Sequence, residues 1–120
     1  MKSVILSTAA TIGLTITSLS FAVDMPPLAK ELNCVSCHAI DHKVVGPAWI
    51  EVSKRYRDKR NDPAFFNQLV KKVSCGGQGN WGDIPMAAND PVGKRHDKIV
   101  ELVKFVLALS NQLPENKGKM

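Results

Sequence analysis

Two cysteines three residues apart, with a histidine directly after the second, constrain this chain more than any other feature: Cys34-Val35-Ser36-Cys37-His38. Three chemistries use such a stretch, namely a redox-active dithiol, a structural zinc site and a covalent attachment point for haem. A dithiol of the thioredoxin kind opens a helix after a strand in an α/β pattern, and no strand-like run precedes Cys34. Structural zinc needs four ligands. Cys34, Cys37 and His38 would have to borrow the fourth from Cys75, His42 or His96, with no second closely spaced pair to supply it. Haem attachment needs nothing further. On one helical turn, positions i and i+3 place both thiols along one edge of the macrocycle, where each can add to a vinyl group, and i+4 puts His38 beneath the iron. The spacing therefore points to one thioether-linked haem c, held by Cys34 and Cys37, with His38 as an axial ligand.

The start of the chain agrees with that chemistry. Lys2 is followed by an uncharged run from Val4 to Ala22, and Ser20-Phe21-Ala22 puts small residues where a signal peptidase reads them. Residues 1–22 are read as a secretory signal peptide and 23–120 as one domain, so the mature chain is exported to the periplasm. The competing reading, an uncleaved membrane anchor, is weakened by the Ser and Thr that dilute the apolar run, and no stable membrane insertion is expected after cleavage. The mature 98 residues make a domain whose apolar core is marginal by itself. Cleavage removes one of sixteen basic residues and none of the eleven acidic ones, which leaves a net charge of +4. That excess favours docking to acidic protein surfaces, and an exported chain has little occasion to meet nucleic acid.

Few aromatics and several 3.6-period segments indicate an all-α domain. Pro26-Pro27 starts a first helix, expected to run to about Ile40 with Leu28, Leu32 and Val35 on its buried stripe. A short helix is expected from Ala48 to about Tyr56. Asp62 caps, and Pro63 opens, a third through Phe66, Leu69, Val70 and Val73. Ile99, Leu102, Val103, Val106 and Leu107 mark the apolar face of a last helix from about Lys94 to Ser110, followed by a polar tail. Between these helices, Cys75 to Val92 holds four glycines and two prolines. So long a loop in so small a domain is usually functional.

That loop bears on the second axial ligand of an iron at His38. Candidates are Met86, His42, His96, Met25 and Met120. His42 is too close to the attachment turn, His96 reads as a surface residue of the last helix, and Met25 and Met120 lie near chain ends. Met86 remains, in Asp83-Ile84-Pro85-Met86, where proline stiffens the approach and glycines let the backbone pass close to a flat ligand. His/Met ligation leaves chiefly electron transfer, whereas an open sixth position would permit peroxidase-like catalysis or gas sensing. The haem's faces are expected to bury against Leu32, Val35, Ile84 and the last helix, so the chain without haem is expected to be largely unfolded.

Taken together, CVSCHAID, VVGPAW, GGQGNWGDIPM with Ala-Ala-Asn following, and the apolar last helix resemble the class I c-type cytochromes, specifically the short bacterial monohaem kind. The resemblance implies a small class I cytochrome c fold, with helices packed around one covalently attached haem, and a soluble periplasmic carrier of single electrons that is not an enzyme. It further implies that the Pro47 carbonyl accepts a hydrogen bond from the ring of His38, that Trp81 donates its indole N–H to a haem propionate, and that Asn89 steadies the sulfur of Met86. Two departures stand out. Met86 is followed by Ala87-Ala88 where Pro-Met-Pro is common, and Lys72 stands where an arginine often faces a propionate.

Two features lie outside that pattern. Cys75, the odd cysteine, reads either as a buried unpaired small apolar residue or as half of an intermolecular disulfide, giving a homodimer or a tether to a partner. Lys54, Arg55, Arg57, Lys59 and Arg60 put five cations in seven residues, opposed by Asp58 alone. That run is either a solvated helix end or a patch that steers redox partner proteins with acidic docking surfaces.

Overall fold

A computed structural model describes residues 10, 12–15 and 22–112. Most of the expected signal peptide, the polar tail after the last helix and Met120 lie outside the described residues. Among the described residues there are four α-helices and no strand: α1 (Pro27–Glu31), α2 (Trp49–Arg55), α3 (Pro63–Cys75) and α4 (His96–Gln112). No helix among them is long and apolar enough to cross a membrane.

The first helix is shorter than its periodicity predicts. Asn33 sits in the left-handed region at φ 58°, which ends α1, and a 3₁₀ turn over Cys34–Ser36 follows. Asparagine tolerates that conformation because its short amide side chain can bond locally, whereas most residues with a Cβ resist it. Val35 is consequently not on a buried stripe; it is 40% exposed. The other boundaries agree with the sequence within about two residues. Asp62 caps α3, its Oδ1 accepting from the backbone N–H of Ala64 at 2.9 Å and of Phe65 at 3.4 Å, and Pro63 fills the first turn where no N–H is needed. The turn before α4 is organised by buried Asp90, whose two carboxylate oxygens accept from the N–H groups of Lys94 and Arg95 at 2.8 and 2.9 Å.

Helix α4 is the spine, packing against α2, α3 and α1. Its buried face, Ile99, Leu102, Val103, Leu107 and Leu109, meets Ala29 and Leu32 from the first helix and its end, Trp49 and Ile50 from α2, and Val70 from α3. Trp49 presents its ring edgewise to Phe105 with centroids 6.2 Å apart. One polar cross-link runs through this core. The fully buried Ser53 hydroxyl donates to the Leu107 carbonyl at 2.8 Å and accepts from the Ser110 N–H at 2.9 Å, fixing α2 on the last turns of α4. An ion pair between Glu31 and Lys98 joins α1 to α4 at the surface.

Candidate functional site

The motif turn is closed by its own backbone. The Cys34 carbonyl accepts from the N–H groups of Cys37 (3.1 Å) and His38 (2.9 Å), and the Cys37 carbonyl accepts from Val45 (3.2 Å) and Gly46 (2.8 Å). Residues 44–46 are thereby folded back onto the motif. Helix α2 completes the wrap, since the N–H groups of Trp49 and Ile50, free at a helix start, donate to the carbonyls of Ala39 and Ile40 at 2.9 Å each. Cys34 is buried and Cys37 exposed, and neither is in a disulfide. Burial pushes the Cys34 thiol above its usual range, a backbone hydrogen bond opposes this, and the nearby Cys37 adds to it. Cys34 is thus held as the neutral thiol, the form that carries a hydrogen.

His38 is fixed from three sides. Its Nδ1 lies 2.9 Å from the Pro47 carbonyl oxygen, its ring packs at 5.8 Å from that of Trp49, and Gly46 lies directly against it. A carbonyl oxygen only accepts, so Nδ1 carries the proton in this bond, and in the neutral ring Nε2 keeps its lone pair. An imidazole locked in that tautomer is the form that ligates a metal. Gly46 makes the fit possible: a Cβ there would stand 2.4 Å from Cε1 and 2.9 Å from Nδ1 of His38.

Met86 is secured from the far end of α3. It exchanges two backbone bonds with Gly77, at 2.8 and 3.0 Å, and a Cβ on Gly76 would lie 2.4 Å from the Met86 carbonyl oxygen. Gly76 adopts φ 73°, so the exit from α3 requires glycine for its torsion as well as its size. The carbonyls of Val73 and Ser74, left open at the helix end, accept from the N–H groups of Asn89 and Asp90 at 3.2 and 3.0 Å. These bonds hold the chain just after Met86 against the end of α3. The Asn89 side chain donates to the carbonyls of Val73 (3.2 Å) and Ala87 (3.3 Å), so its amide steadies the backbone around Met86. Lys72 extends toward Gly77, its Nζ 2.9 Å from where a Cβ would be.

Trp81 is not a core residue; it is 38% exposed and touches Arg55 and Tyr56 at the end of α2. Cys75, expected as a buried apolar residue in one reading, is exposed as the last residue of α3. His42 is a surface residue as expected, and a hydrogen bond from it, 2.7 Å between His42 Nδ1 and Asp41 Oδ1, holds the Asp41 carboxyl below its usual range. His96, the first residue of α4, is also exposed.

Two observations test whether these residues suit a haem. The donors are of the right chemistry: two cysteines on one turn free of disulfides, an imidazole with its Nδ1 already engaged, and a half-buried methionine on a tethered loop. Next, large apolar side chains stand at the surface within these same segments, Val35, Val44 and Val45 around the motif and Ile84, 62% exposed, beside Met86. A flat apolar ligand would give that surface something to bury against. Leu32, expected on the haem's face, is instead packed in the protein core. The residues fit. The sequence gives no sign of Gly46, Gly76 and Gly77 as the platforms under His38 and Met86, because only their distances to other segments give them this role.

Comparison with known proteins places these features in context. The model of the cytochrome c family matches residues 27–110. Cytochrome c-551 of Allochromatium vinosum is 40% identical over 82 residues, 68% of this chain and 82% of that protein. Cytochrome c-551 of Azotobacter vinelandii is 42% identical over 80 residues, 67% of this chain and 90% of its own. Among solved structures, wild-type Nitrosomonas europaea cytochrome c552 superposes with a TM-score of 0.60 at 39% identity, covering 68% of this chain and 95% of that one. The all-α architecture expected from the sequence is the architecture of these relatives.

Proposed function

The chain belongs to the cytochrome c family as a small class I member with covalently bound haem c, and we propose that it is a soluble periplasmic carrier of single electrons, not an enzyme. When bound, the haem iron supplies the redox chemistry, taking up or giving up one electron. Every other part of the task falls to the protein. Cys34 and Cys37 would hold the macrocycle through thioether bonds, and His38 through Nε2 and Met86 through its sulfur would supply ligands to the iron. Pro47 fixes the tautomer and direction of His38, and Trp81 would donate its indole N–H to a propionate.

The observation that carries this reading is the 2.9 Å bond from His38 Nδ1–H to the Pro47 carbonyl within the Cys-x-x-Cys-His turn. It is an orienting bond of the kind that metal-ligating histidines make. The tether between Gly77 and Met86 supports a closed sixth position, because a ligand loop held by backbone bonds is not readily displaced. Lys54, Arg57 and Lys59 are exposed on α2 and just after it, which supports steering of partners with acidic surfaces; the attraction should weaken as salt rises. The exposed Cys75 supports an intermolecular disulfide in an oxidising compartment.

The test is an absorption spectrum of protein matured in a periplasm, oxidised and then reduced. The weak band near the red edge that reports methionine sulfur on ferric iron should be present and should vanish in Met86→Ala. A wild-type protein that lacks that band and takes up carbon monoxide when reduced would have an open sixth position, and the carrier reading would fail in favour of catalysis or sensing.

A further inference from the structure

Within the basic run, Lys59 lies 5.4 Å over the Phe65 ring and Arg60 bonds to Asn111 of α4, but it is Arg55 that reaches the glycine-rich loop. Lys54 pairs with Glu51 on its own helix at 3.0 Å. Arg55 instead leaves α2: its Nη1 donates to the Asn80 carbonyl at 2.8 Å, and its guanidinium carbon sits 4.3 Å from the centroid of the Trp81 ring. Tyr56, the next residue, meets the same indole edgewise at 6.1 Å and 86°, and is itself braced at 4.9 Å by Phe65 of α3. The end of α2 therefore grips a residue of the glycine-rich loop by its face, its edge and the carbonyl just before it.

The indole needs such a grip. Gly79 and Gly82 flank it at φ 101° and 105°, with open space around both, and a bond from the Gly79 N–H to the Gly82 carbonyl at 3.0 Å closes the turn that carries the ring without fixing where the ring points. Its direction is set by side-chain contacts. A guanidinium suits this role where an ammonium would not, because its planar fork stacks on the ring and reaches the carbonyl at the same time.

We propose that Arg55 is a positioning residue for Trp81, clamping the indole by stacking on its face and bonding to the Asn80 carbonyl, and thereby fixing the direction of the N–H that faces the haem propionate. This inference rests on the haem reading above. It also takes Arg55 out of the set of cations that could steer a partner.

The experiment uses haem-loaded protein, with covalent attachment verified by mass, in four variants: Arg55→Lys, Arg55→Met, Trp81→Phe and the double variant Arg55→Lys/Trp81→Phe. Two quantities are read, namely hydrogen exchange of the Trp81 indole N–H by NMR and the reduction potential. Arg55→Lys keeps the charge but loses stack and fork, and it should speed indole exchange by about tenfold. It should also shift the reduction equilibrium against a fixed mediator by about threefold, close to 30 mV for a one-electron couple, in the same sense as Trp81→Phe. Arg55→Met should do no less to the indole, and the double variant should shift no further than Trp81→Phe alone, since the arginine acts through the ring. Haem present with wild-type exchange in Arg55→Lys, or with additive shifts in the double variant, would overturn the role of Arg55 and leave the haem reading standing. Absence of covalent haem in the wild-type chain would overturn both.

Discussion

Replacing Gly46 by alanine should loosen His38, and the structure allows the effect to be worked through. The added methyl would sit 2.4 Å from Cε1 of the imidazole and within about 3 Å of both ring nitrogens. To restore ordinary van der Waals contact, ring and backbone must separate by about 1 Å. The ring has little room to yield, because Trp49 lies 5.8 Å away between centroids and the Pro47 carbonyl holds Nδ1 at 2.9 Å. A shift of that size takes the Pro47 bond out of hydrogen-bond range. Overpacking costs about 1–3 kcal/mol, and the lost bond adds about 0.5–1.5 kcal/mol, so the substitution should destabilise by about 1.5–4.5 kcal/mol. No torsional penalty enters, since Gly46 is not in the left-handed region. Guanidinium unfolding of the haem-loaded protein reads the stability, and the NMR signal of the His38 Nδ1–H reads the bond itself. Stability within about 0.5 kcal/mol of wild type, with that signal unmoved, would refute the claim that Gly46 is the platform for His38.

Two paired substitutions test other parts of the account. Gly76→Ala forces a side chain onto a backbone at φ 73° and ψ −162°, a region open essentially to glycine, and presses its Cβ against the backbone of Met86, whereas Gly93→Ala places one at φ 75° with open space around it; each should lose about 1–3 kcal/mol from strain, and Gly76→Ala should lose more and weaken the methionine-to-iron band that Gly93→Ala leaves intact. Equal effects on that band would show that the tether does not position Met86. In the core, Ser53→Ala removes the two hydrogen bonds between α2 and α4 and should cost about 1–2 kcal/mol in denaturant unfolding, whereas Ser110→Ala deletes a buried hydroxyl with no partner among the described residues and should be neutral or stabilising by up to about 1 kcal/mol. A loss of stability on Ser110→Ala would mean that its hydroxyl is satisfied after all.

How far the sequence could be read depended on how local each signal was. Asp62-Pro63 marks the start of α3 because an N-cap and a first-turn proline act on neighbouring N–H groups, and α4 announces its buried face through spacing alone. The first helix misled for a related reason. Leu28, Leu32 and Val35 keep helical spacing, yet the left-handed turn at Asn33 interrupts it, and nothing in periodicity registers a single residue with positive φ. The geometry that shapes the candidate site is less local still. Gly46 faces a ring eight residues earlier, Gly76 faces a carbonyl ten residues later, and Arg55 reaches an indole 26 residues away. In a string such residues read as a chain breaker, a loop former and a surface charge. A motif, with the family it resembles, can thus name the candidate ligands and even the Pro47 carbonyl beneath His38 while leaving unnamed the glycines packed against those ligands, and the arginine that leaves an apparently solvated patch to reach Trp81.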